Sequence, residues 1–302
     1  MMSNPAGNAG PTLPGVRSMG FVQQIRRQFR PAGKTAQAAL RWKRFSFREA
    51  PPVFGNSKPK SGSHLLLQVL GGFTRIMPYR YVEAGPVRTI TKDGRRREAD
   101  EILSELKRLP EGVIGWGYLE ATAANVAYLA AGGRVNYFMY RDPRDMLVSQ
   151  VFFAADMYEE HGMHAYYNSL PDFGSRLKVA ITGIDRDGLY MVSVKQRYEG
   201  VFQWLEQKNV MCIRFEDLVD RRDATLQAML AEVEKTGYQI PAPREKALSV
   251  LVEAIRPAKS RTFRSGKTGG WRDHFTDEHK KLFKDVAGDL LVRLGYEKNN
   301  NW

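Results

Sequence analysis

The sequence predicts an α/β fold with a P-loop-like central parallel sheet and helices on both faces. Short apolar runs alternate with segments of helical period, the order that gives parallel strands joined by crossover helices. The first run feeds a helix through a loop rich in Lys, Pro, Ser and Gly, as in folds that hold a phosphate at a helix start. The 302 residues are 43% hydrophobic and 11% aromatic, enough for one large core or two modest ones.

Residues 1–50 read as a basic, partly disordered extension and residues 51–302 as the domain. Gly, Pro, Asn and Ala dominate 1–16, a composition that does not build a core. Over 17–30, Val22, Ile25 and Phe29 fall at helical spacing beside Arg26, Arg27 and Arg30. This suits a basic amphipathic helix on a membrane surface, or a surface helix packed on the domain by its apolar stripe.

A strand is expected from Val53 to Asn56 and a helix over Leu65–Leu70, stopped at Gly71-Gly72. Residues 95–109 read as an amphipathic helix with Ile102, Leu103, Leu106 and Leu109 on one face. Val113–Tyr118 is a strand and Ala121–Ala131 a helix ended by Gly132-Gly133. Val135–Tyr140 is a strand, and Pro143 suits the first turn of the helix that follows. Lys195–Gln207 is helical, Val210–Phe215 a strand, and helices follow at 222–236, 243–255 and 277–294.

Composition narrows the function. Residues 1–60 hold eleven Lys or Arg against one acid, Glu49, so most of the net charge of +13 sits there. Such a segment favours anionic partners, including membrane contact through 17–48. A single cysteine, Cys212, excludes an internal disulfide and fits a reducing compartment. No apolar run reaches the roughly 18 residues of a membrane-spanning helix, and the first residues lack a leader's apolar core. The expected location is cytoplasmic, with peripheral membrane contact as the variant. No His/Cys cluster has metal-ligand spacing, and no zinc, RNA or helix-turn-helix pattern supports a specific nucleic-acid partner.

Three separated segments carry the chemistry. The first reads VFGNSKPKSGSHLLLQVL over 53–70. Gly62 allows close backbone approach, the helix N–H groups and dipole favour an anion, and Lys60 adds a full charge. A polar turn capping a helix through Ser61 or Ser63 is the plainer reading. No Gly directly precedes Lys60, so the ATPase pattern GxxxxGK(S/T) fails, which disfavours a small-molecule kinase. The second segment, VNYFMYRDPRDMLVSQVF over 135–152, sets Ser149 eight positions after Arg141. The third reads FRSGKTGGWRDHFT over 263–276.

Pro59-Lys60-Ser61-Gly62-Ser63 resembles the PKSGT loop of sulfotransferases that use 3′-phosphoadenosine 5′-phosphosulfate (PAPS). The Arg141/Ser149 pair resembles their 3′-phosphate motif, and Arg264, Gly266, Gly269, Trp271, Phe275 and Thr276 match their RKGxxGDWKxxFT segment. The resemblance implies the sulfotransferase fold and transfer of a sulfuryl group from PAPS to a hydroxyl or amine, releasing adenosine 3′,5′-bisphosphate (PAP), with no metal. It implies Lys60 as the catalytic lysine, and Ser61, Gly62, Ser63 and His64 around the 5′-phosphate. It further implies Arg141, Ser149, Arg264, Ser265 and Gly266 at the 3′-phosphate, and Tyr198 near the adenine. Leu65 replaces a tryptophan of cytosolic members, Ser265 a Lys and Gly270 an Asp. Tyr118 stands where those members place a catalytic His. Glycan- and tyrosine-directed members carry a Glu about twenty residues after the phosphate loop, and that resemblance implies Glu83, 23 positions after Lys60, as the base, with His64, His161 and His164 as alternatives. A relative that binds PAP, PAPS or a glycan without catalysis is the other reading. The acceptor is expected near Tyr81–Arg88 and Met157–Met191; the sequence names neither it nor the oligomer.

Overall fold

Strand β1 (Val53–Ser57) lies mid-sheet between β4 (Val113–Tyr118) and β5 (Val135–Tyr140), parallel to both. The six-stranded sheet continues beyond β5 to β8 (Met211–Arg214). On the other side β4 pairs with two short strands, β2 (Tyr81–Val82) and β3 (Val87–Arg88), and every pairing in it is parallel. The computed structural model describes residues 32–91, 94–259 and 266–302. The 1–16 segment, the 17–30 helix, Arg264 and Ser265 therefore lie outside the described residues.

All six residues of β5 are buried, as a parallel strand covered on both faces requires. Side-chain direction alternates along a strand. Tyr137 and Met139 accordingly join one apolar cluster with α2 (Ser63–Ile76), α10 (Arg222–Glu234) and α11 (Arg244–Ala254). Phe138 and Tyr140 join the other, built with α5 (Pro143–Phe152), α7 (Phe173–Thr182), α8 (Val194–Leu205) and α12 (Asp277–Ala287). From β1 the chain builds β4 on one side and later β5 on the other. That reversal leaves a crevice at the carboxyl ends of the strands, where α/β sheets bind ligands.

Four expectations need correction. Helix α2 runs through Gly71 and Gly72 to Ile76. A Cβ on Gly72 would lie 2.7 Å from Leu251 Cδ2, so this glycine serves close packing on α11 rather than a helix stop. Helix α3 spans Ala99–Lys107, not 95–109, because an isolated bridge between Ile90 and Arg96 keeps the preceding chain extended. The 277–294 helix is two, broken where Gly288 takes φ 59 before α13 (Leu290–Arg293). Residues 32–50 are folded on the domain: a helix over 32–41 (α1) leads to Trp42, whose Nε1 donates to the Thr74 carbonyl of α2 at 3.2 Å. The short helices α6 (His164–Ser169) and α9 (Phe215–Asp220) and the hairpin of β6 (Ile184–Arg186) and β7 (Leu189–Met191) had no sequence expectation. Among the described residues no helix is long and apolar enough to cross a membrane.

Candidate active site

The loop between β1 and α2 closes the crevice floor. Lys60 (φ 64) and Gly62 (φ 94) both take left-handed backbone around Ser61, which is fully buried. Left-handed backbone at a non-glycine residue costs about 1–2 kcal/mol and concentrates at functional sites. At Gly62 a Cβ would meet Phe215 Cδ2 at 2.5 Å and Met139 Sδ at 3.0 Å, so only glycine fits. The start of α2 has no side-chain cap and no acid in its first turn. Its positive end is thereby left to an external anion. Ser57 Oγ and Ser61 Oγ are buried with no hydrogen-bond partner among the described residues.

Strand β5 delivers Arg141 to the same crevice. Its Nη2 donates to the Lys267 carbonyl at 3.1 Å, its Cζ lies 4.3 Å from the centre of the Phe215 ring, and its buried Nε has no partner among the described residues. Asp145, one turn on, accepts the backbone N–H groups of Gly269 and Trp271 at 2.8 Å each and lies 3.7 Å from Arg141. One carboxylate thus ties the third motif to the second. Arg144 is held by Asp142 and Glu297 and packs on Trp271, 3.9 Å from its ring centre.

These elements enclose a cavity of about 530 Å³. It is lined by Lys60, Gly62, Ser63, His64, Arg141, Ser149 and Gly266 from all three motifs. Arg88 and Arg222 add two further cations, and among the described residues no Asp or Glu lines it. Leu65, Leu218, Val219, Ile255 and Pro257 supply an apolar wall. Such a space suits a ligand with a flat apolar part and several negative charges.

Other expected residues stand elsewhere. Tyr198 is fully buried off the cavity, donating its hydroxyl to the Arg141 carbonyl at 2.8 Å, so it braces Arg141 from behind. The Glu83 carboxylate turns onto the Ala84 N–H at 2.6 Å and does not line the cavity. Tyr167 is buried core and Phe173 stacks on Phe152 and His274. Tyr158 stays exposed. Glu216 accepts from the Asp142 N–H and the Tyr296 hydroxyl.

The Lys60 end of the crevice is shaped by α5, which ends in a π-helical turn over Phe153–Met157. Such turns re-aim side chains and recur at functional sites. Here the turn places the Phe153 ring 3.7 Å from Lys60 Nζ. The His161 ring lies 5.9 Å from the same phenylalanine, its Nδ1 accepting from the Met163 N–H. Burial first, then the Lys60 charge, pushes both His64 and His161 below the ordinary imidazole range. Tyr118 meets Ser63 Oγ at 3.0 Å. Arg222 and Phe153 were not foreseen, and Arg88 was expected on the acceptor side rather than in this lining. Arg88 sits on a strand of two residues, too short for a periodic signal, and Phe153 depends on the π turn. Arg222 follows the Phe-Glu-Asp-Leu run by four residues, a signal visible in the chain.

Comparison with known proteins follows the same lines. A family model described as "Sulfotransferase domain" matches residues 137–295. Among solved structures, the mouse sulfotransferase SULT7A1 complexed with PAP matches with a TM-score of 0.55 at 18% identity, over 89% of this chain and 96% of that one. Retinol dehydratase in complex with androsterone and inactive cofactor PAP matches at 0.54 and 17%, over 87% and 85% of the two chains. No curated protein matches the chain in sequence.

Proposed function

The chain belongs to the sulfotransferase domain family, and from that premise we propose that it transfers the sulfuryl group of PAPS to a hydroxyl or amine, releasing PAP. The observation that carries this reading is the cavity that, among the described residues, is lined by four cations and no carboxylate. It is floored by an uncapped helix start. Two bound phosphates and a sulfuryl group would satisfy the features that are costly when left unmatched.

In this reading Lys60, Ser61, Gly62, Ser63 and His64 hold the 5′-phosphosulfate. Arg141, Ser149 and Gly266 hold the 3′-phosphate with Arg264 and Ser265, and Arg222 is an added phosphate contact. Tyr198 acts through Arg141. The apolar wall of Leu65, Ile255 and Pro257 takes the adenine. Lys60 swings from Phe153 toward the bridging oxygen and offsets the charge that develops there as the S–O bond breaks. The acceptor must be held in line with that bond and lose its proton. We assign the proton to His161, which burial and then the Lys60 charge shift toward the neutral form, and which sits beside the Lys60–Phe153 pair. Glu83, turned onto its own backbone, is the less favoured base.

A labelled-sulfuryl transfer screen across phenols, glycans, lipids and amines tests the reading. Transfer that depends on PAPS and disappears in Lys60→Ala supports it. PAP binding with no transfer to any class would leave a nucleotide-binding relative instead.

A further inference from the structure

Beside the donor cavity, strand β1 and helix α8 form a seam that the reaction as described does not use. Asn56 Nδ2 and Trp204 Nε1 both donate to the Leu119 carbonyl, each at 3.0 Å. That shared acceptor sets one face of β1 against one face of α8. Side chains return to the same face every second residue on a strand and about every seventh on a helix. Lys58 is two positions after Asn56, and Arg197 is seven before Trp204, so both stand on this seam, on its phosphate-loop side.

The two cations are poorly matched by protein groups. Among the described residues neither forms a salt bridge. Arg197 meets only Met146 Sδ at 3.9 Å and the Val192 carbonyl at 3.5 Å, both long contacts, and its Nε is buried without a partner. Burial, with the Arg197 charge added, lowers the Lys58 ammonium to about 8. Glu120 acts on Lys58 from a distance but is engaged with Arg96. A half-buried cation pair without a counter-ion is costly unless an incoming anion completes it.

Helix α5 joins the seam to His161: Arg197 reaches Met146 Sδ, and one turn on Gln150 Nε2 lies 3.2 Å from His161 Nε2. His161 feels the charges of both Lys60 and Arg197. Lys58 and Arg197 do not line the donor cavity, whose lining cations include Arg141 and Arg222. An anion held on the seam would therefore belong to the other substrate.

We propose that Lys58 and Arg197 form an oxyanion receptor for the acceptor, which carries a carboxylate, sulfate or phosphate group besides the hydroxyl or amine that is sulfated. This rests on reading the neighbouring cavity as a PAPS site.

Calorimetric titration of the full chain, saturated with PAP, with inorganic sulfate and separately with glucuronate tests it. One anion or both should bind at a single site. Lys58→Met and Arg197→Gln should each weaken that binding by about tenfold while leaving PAP affinity within about twofold. Arg197→Lys, which keeps the charge, should retain most of it and guards against a misfolded variant. Binding of sulfate alone marks a sulfated or phosphorylated acceptor, and binding of glucuronate alone a carboxylated one. No anion binding by the PAP-saturated chain, or equal binding after both substitutions, overturns the proposal. Failure of the chain to bind PAP would instead sink the donor reading. The same titrations on the PAP-free variants would still judge the pair.

Discussion

The ammonium of Lys60 rests 3.7 Å from the centre of the Phe153 ring. A cation on an aromatic face is held by about 0.5–2 kcal/mol, enough to park a side chain but not to trap it. Lys60→Ala should lower kcat by about a hundredfold or more while PAP affinity falls far less. Phe153→Leu should cost only about threefold to tenfold. Steady-state kinetics beside PAP titration separates the two. Equal losses in both variants would mean that Lys60 is not the charge that acts on the leaving group.

Asp145 joins the second motif to the third through Gly269 and Trp271. Asp145→Asn exchanges one acceptor oxygen for a donor that faces an N–H. A cost of about 1–3 kcal/mol in stability is expected. PAP affinity should fall with it, because the Lys267 carbonyl that orients Arg141 belongs to the tethered segment. Thermal unfolding with and without PAP reads both effects. An unchanged PAP affinity would mean that the tether does not position the phosphate contact.

With His161 as base, kcat rises with pH as the imidazole loses its proton. Burial and the neighbouring cations move that step below the ordinary value of about 6.5. The profile should then be flat from neutral pH upward and fall only on the acid side. His161→Gln should abolish the acid limb and most of the rate, and Glu83→Gln should leave kcat within about twofold. Loss of the limb in Glu83→Gln instead would return the base to the β2 edge.

Adjacent glycines in α2 should respond oppositely to alanine. At Gly71 a methyl group would meet nothing within 4 Å, so Gly71→Ala should stabilise by about 0.5–1 kcal/mol through helix propensity. At Gly72 the methyl would press on Leu251 and Ala254 of α11, and overpacking of about 1–3 kcal/mol outweighs that gain. Denaturant unfolding of the two variants checks the contrast.

Much of this was legible in the chain. Val113–Tyr118 and Val135–Tyr140 are strands as expected, because buried parallel strands read as short apolar runs. The Pro143 helix start is equally local, since Asp142 caps it. Gly71-Gly72 misled because a glycine needed for helix contact looks like one that ends a helix. The site was less legible than the fold. Glu83 was chosen by its distance from Lys60 along the chain, which carries no information on where its carboxylate turns. Tyr198 was set near the nucleotide by resemblance, while its place on α8 directs it behind Arg141. Phe153 and the Lys58–Arg197 seam depend on contacts between distant elements, which no local pattern records.

The most direct measurement is a calorimetric comparison of PAP and ATP binding to the full chain and to Arg141→Ala. The account predicts that PAP binds one-to-one and more tightly than ATP, and that Arg141→Ala weakens PAP by about a hundredfold. ATP binding at least as tightly as PAP, or PAP binding untouched by the loss of Arg141, would contradict it.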